Sequence, residues 1–156
     1  MKTITKIRWI LWMFIILLVL SGITAFPIQT ELDLLSSYIG HGDGVMDRWF
    51  NKVHAAVVQT NLHYPYLAYG TDWLAFAHLV IAVVFWGPLK DPIKNKWVIE
   101  FGMIACVMVF PLALIAGHIR GIPWFWQLID CSFGVFGIIP LLICHKLITK
   151  MEKHHV

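Results

Sequence analysis

The 156 residues are 59% hydrophobic and 13% charged, about half the charged share of an ordinary soluble domain, which is near 25%. That balance excludes a water-soluble globular domain as the first reading and makes lipid the solvent. The formal net charge of +3 is small and follows the membrane topology derived below, so it does not point to nucleic acid.

Four apolar runs cover about residues 9–26, 72–89, 97–119 and 124–147. Each is close to the roughly 20 residues that cross a bilayer as a helix, and Trp9, Phe26, Trp73, Trp97 and Trp124 stand at their ends, where interfacial aromatics belong. Lys2, Lys6 and Arg8 precede the first run, and "GITA" closes it on a small residue, as in a signal peptide. The apolar run exceeds the about 7–15 residues of a signal h-region, and Ile23 is a poor residue at the minus-three position, so an uncleaved span is expected.

Residues 27–70 follow as one long connection. Within it Met46, Trp49, Phe50, Val53 and Val57 recur at helical spacing, while Asp47, Arg48, Asn51, Lys52 and Gln59 fall opposite. This predicts an amphipathic helix on the membrane surface or over the mouth of the bundle. The glycines of "GHGDG", Gly40 to Gly44, predict a flexible loop before it, and the tyrosines of "HYPYLAYG" an aromatic belt after it.

An ionisable group inside a span costs about 2.5–3.5 kcal/mol on insertion scales, so each one needs an account. Asp72, with Thr71, opens the second run and is expected to cap it; Glu100 is expected in the first turn of the third, favoured by the helix dipole. His78 in the second run and Asp130 in the fourth lie at similar depths, about 10 and 9 Å inside the outer boundary at 1.5 Å per residue. Arg120 and His118 sit in the short turn "GHIRGIP". Pro111 and Pro140 interrupt the backbone bonding of their helices. Ala113, Gly117 and Gly121, four apart, and Gly134 and Gly137 are the small residues through which membrane helices approach each other. Cys106, Cys131 and Cys144 are odd in number, lie in apolar runs and form no C-x-x-C, which excludes a disulfide framework or a zinc knuckle.

Basic residues set orientation, because they resist translocation. Nine of the twelve Lys and Arg lie in the N-terminal tail, the "KDPIKNK" loop and the C-terminal tail. The expected fold is an all-α integral membrane protein: a single-domain bundle of four transmembrane helices with one extracytoplasmic amphipathic helix. Both termini are placed in the cytoplasm, in a bacterial-type inner membrane.

For function, the sequence offers one modest polar site and no catalytic motif. The first reading is an accessory, assembly or structural subunit of a larger membrane complex, its partners the lipid bilayer and another membrane protein or a second copy. The alternative is a redox or proton-relay module in which His78, Asp130, Arg120 and His118 bind a ligand or relay a proton. A transition metal on His78, His118, His54 and His63, a haem, or a quinone are the cofactors considered. The outer His41 is a further candidate ligand, whereas His154 and His155 are read as tail residues beside lipid headgroups.

Overall fold

A computed structural model describes residues 2–155, and the side chains of Lys2, His154 and His155 lie outside what it describes. All regular secondary structure among the described residues is helical: α1 (Lys2–Ala25), α2 (Ile28–Leu35), α3 (Val45–His63), α4 (Tyr69–Val84), α5 (Trp86–Lys90), α6 (Lys96–Pro111), α7 (Gly117–Ile119) and α8 (Trp124–His155). A 3₁₀ turn over Pro65–Leu67 precedes α4, and a π-helical turn over Leu112–Ala116 joins α6 to α7.

Four stretches are long and apolar enough to cross a membrane: Thr3–Ala25, Pro65–Lys90, Lys96–Ile119 and Trp124–Lys153. Their outward apolar faces are suited to contact with lipid. The last continues as helix well past the apolar run, because Lys146, Lys150 and Lys153 are good helix formers and Thr149 donates back to the His145 carbonyl at 2.9 Å. The second is broken at Phe85. Pro88, one helical turn beyond Val84, has no N–H with which to bond the Val84 carbonyl, so the chain restarts as α5.

The chain divides into two compact units. One contains the residues up to Leu17 and those from Ala82 onward. Its main packing is α6 along α8, and the helices approach where side chains are smallest. A Cβ on Gly134 would stand 2.6 Å from the Cys106 carbonyl oxygen, and one on Gly137 2.9 Å from the Cys106 sulfur. Gly102 faces the Phe85 ring and Leu141 just as closely. Ile7, Leu11, Phe85, Val98, Ile99, Leu141 and Ile148 fill the core. Cys131 and Cys144 are buried, Cys106 half-buried, and all three are free thiols. At the basic end, Asn95 ties the α5–α6 turn by donating to the Gly87 and Asp91 carbonyls. Lys96 pairs with Glu152 at 2.7 Å.

The other unit runs from Leu18 to Ile81. A Cβ on Gly22 of α1 would meet the Ala75 carbonyl of α4 at 2.9 Å, and both residues are buried. Helix α2, which the sequence pattern did not announce, packs on α3. Asn61 donates to Gln29 at 2.6 Å, and His54 Nε2 meets Asp33 Oδ1 at 2.6 Å. On α3, Trp49, Phe50, Val53 and Val57 are half-buried while Met46, Asn51, Lys52 and Gln59 are exposed. The Gly40–Gly44 loop is tied to the first turns of α3 by side-chain hydrogen bonds. Asp47 accepts the Gly40 N–H at 2.9 Å, Asn51 donates to the Gly40 carbonyl, and Arg48 donates to the Asp43 carbonyl. Gly40 has φ +92°, a conformation that favours glycine, and Gly42 and Gly44 lie against the Asp47 carboxylate.

Candidate functional site

Pro111 initiates the site. Lacking an N–H, it leaves the Val107 carbonyl without its helical donor, and the next five residues wind as a π turn before α7 resumes. A π turn widens the helix locally and turns side chains off the register of the preceding face. Helix α7 then stops on Gly121, whose φ of +68° favours glycine. The Ile122 N–H bonds the Gly117 carbonyl and the Gly121 N–H bonds the His118 carbonyl, the two bonds of a Schellman stop. Gly121 was expected to serve helix packing; nothing lies near its Cβ position, and its role is conformational.

Gln127 secures the far side of the turn, donating to the Ile122 carbonyl at 2.7 Å with its stem against Gly117. The result is a cleft of about 270 Å³ in the unit that contains α6 to α8. Val109, Leu112, Ala113, Ala116, Gly117 and Ile122 supply an apolar lining, and Arg120 and Asp130 are its two charged residues. Its volume falls just below the roughly 300–1,000 Å³ of pockets for drug-sized ligands, so it suits a small group or one end of an amphiphile.

Asp130 is six residues into α8, about 9 Å along its axis. The ion pairs among the described residues are His54–Asp33, Lys96–Glu152 and His145–Glu100. Arg120 and Asp130 therefore share the cleft without closing onto each other. A cation and an anion facing one apolar space, neither spent on the other, can polarise a carbonyl or hold a polar headgroup.

His78 belongs to the other unit, on α4, and is half-buried. Its Nδ1 lies 2.8 Å from the Leu74 carbonyl oxygen. A carbonyl only accepts, so Nδ1 carries the proton and Nε2 is the nitrogen left for chemistry. His63 repeats the arrangement on the Gln59 carbonyl at 3.1 Å. His54 is occupied by Asp33, and His41 and His118 are exposed. His118 stands in α7 beside the cleft but does not line it. Among the described residues, no three His, Cys, Asp or Glu side chains gather as a metal-binding group.

Three pairs escaped the sequence reading: Lys96–Glu152, described above, and two that involve histidines. Helix α6 starts at Lys96, which puts Glu100 beyond the first turn, where it meets His145 of α8 at 3.1 Å rather than serving the helix dipole. His54 and Asp33 pair between α3 and α2. The signal for either would have been a matching rotation of two helices, which one sequence does not contain. Asp72 lies in the first turn of α4 but as its fourth residue, past the cap position expected for it, because the helix begins at Tyr69; the Thr71 hydroxyl donates to the Ala68 carbonyl at 2.6 Å instead of capping a free N–H.

Compared with protein-family models, with curated proteins and with solved structures, the chain finds no match in any of the three.

Proposed function

We propose that the chain is a small polytopic membrane protein that acts as an accessory, assembly or structural subunit of a larger membrane complex. The observation that carries this reading is how little the chain covers its own spans: between 22% and 28% of the residues in each apolar window are buried. Membrane helices associate through close packing of small residues rather than through a hydrophobic force. Here such packing is spent on a few crossings, leaving tall apolar faces for acyl chains or neighbouring helices. The polar cleft of Asp130 and Arg120 then lies in the outer leaflet, with α3 on the outer surface. The basic residues support this orientation, with both termini cytoplasmic in a bacterial-type inner membrane and residues 27–70 outside.

Solubilising the protein from its own membrane and measuring the mass of the resulting particle tests the subunit role. A defined particle containing a second protein at fixed stoichiometry is expected; a lone chain in its detergent micelle rejects the proposal. A reporter fused after Val156 tests orientation, and extracytoplasmic activity there reverses it.

A second reading, a redox or proton-relay module using His78 and Asp130, is favoured by one observation: the charged pair lining the cleft is not internally neutralised. His78 adds an unengaged Nε2 in its own unit. Metal, haem and quinone are the ligands to test, by visible spectra of the oxidised and reduced protein with elemental and lipid analysis. A signal lost in both His78→Ala and Asp130→Asn supports this reading, and a colourless protein free of metal and quinone removes it.

A further inference from the structure

At the basic end of the unit containing α6 and α8, the Arg8 side chain is built into the joint between α1 and α5. Its Nε–H donates to the Leu89 carbonyl at 3.3 Å, which leaves four of the five guanidinium N–H donors to point elsewhere. Each carboxylate of this end already has a partner: Glu152 has Lys96, Glu100 has His145, and Asp91 accepts the Lys94 N–H. Lys6 and Lys90 lie close to this joint in sequence and add positive charge.

One helical turn further along α1, about 6 Å deeper, Trp12 packs edge-on against Trp86 of α5 with ring centroids 5.4 Å apart. The two rings remain 40% and 44% exposed, although large aromatic surfaces in a core would be covered. An exposed guanidinium anchored at Nε, one helical turn from an uncovered indole ledge at the end of two membrane-spanning helices, complements the polarity profile of a phospholipid: an anionic phosphodiester above, acyl chains below. Tryptophan suits the boundary between them because it is apolar in body and carries one N–H donor.

We infer that Arg8, with the Trp12–Trp86 ledge, forms a binding site for one anionic phospholipid at the basic end of the bundle. The phosphodiester takes the guanidinium N–H groups, and the first acyl segments lie along the indoles. Arginine matters here beyond its charge, because its planar fork binds two phosphate oxygens while Nε keeps its orientation. The site is independent of the cleft at Asp130 and of the subunit role.

The test uses the full chain in mild detergent, offered equal amounts of a phosphatidylglycerol and a phosphatidylcholine and observed by native mass spectrometry. One phosphatidylglycerol retained in preference per chain is expected, with that preference falling roughly fivefold in Arg8→Gln, the weight of one basic contact at a membrane surface. Lys52→Gln, on α3 in the other unit, should bind as the parent does. Arg8→Lys keeps the charge but loses the Nε donor and the fork, and is expected to fall between the two; binding equal to the parent would reduce the site to bare charge and overturn it. An unchanged preference in Arg8→Gln also overturns it. So does displacement of the lipid by inorganic phosphate alone, which would mark a site for free anions.

Discussion

Replacing Gly134 with alanine tests the close approach of α6 and α8 at Cys106. The added Cβ would stand 2.6 Å from the Cys106 carbonyl oxygen, against 3.4 Å for the near limit of ordinary contact, a shortfall of 3.4 − 2.6 = 0.8 Å. The obstacle is backbone, so no rotamer change relieves it; α6 and α8 must separate along the seam they share. Overpacking of this kind costs about 1–3 kcal/mol, and the upper half is expected here because Phe110 and Val109 also lie within 3.5 Å of the new atom. The gain in intrinsic helix propensity, about 1 kcal/mol for Gly to Ala, offsets only part of this. Unfolding in detergent by titration with a denaturing surfactant, followed by helical circular dichroism, gives the difference directly. Gly117→Ala is the internal comparison, since the nearest atom to its Cβ would be side chain and not backbone, the Gln127 stem at 3.0 Å. Gly70→Ala, with nothing within 4 Å, should be neutral or stabilising. If Gly134→Ala proves as stable as Gly70→Ala, the close approach of α6 and α8 is wrong.

Asp130→Asn should raise stability by about 1–2 kcal/mol in the same titration, because it removes a charge whose cost in a span is roughly 2.5–3.5 kcal/mol and which no ion pair offsets; a loss of stability would reveal a partner for the carboxylate. Gly121→Ala, at φ +68°, should cost about 1–2 kcal/mol through left-handed strain, with Gly121→Asn distinctly milder; equal costs would refute the conformational role. A double-mutant cycle on Glu100 and His145 should return about 0.2–1 kcal/mol, the range of an exposed pair, since Glu100 is half exposed. Coupling above about 2 kcal/mol would mean that the pair is shielded from solvent.

The sequence alone was enough to establish four apolar helices and the solvent they require, because spanning length and the near-absence of charge are properties of consecutive residues and need no partner. It also picked out Asp130 and Arg120, since a charge in or beside a span is conspicuous by type. Small residues were legible as a class but not by role: Gly134 serves a helix crossing and Gly121 a helix stop, a distinction set by φ and by what stands opposite. Similarly, the glycines of the Gly40–Gly44 loop signalled freedom, and only the folded chain shows them closing around Asp47. The π turn after Pro111, the cleft it opens and the pairing of Glu100 with His145 were decided by tertiary structure. Each depends on how far one helix is rotated against another, and packing sets that rotation, whereas hydropathy fixes only which segments are helices and how deep they lie.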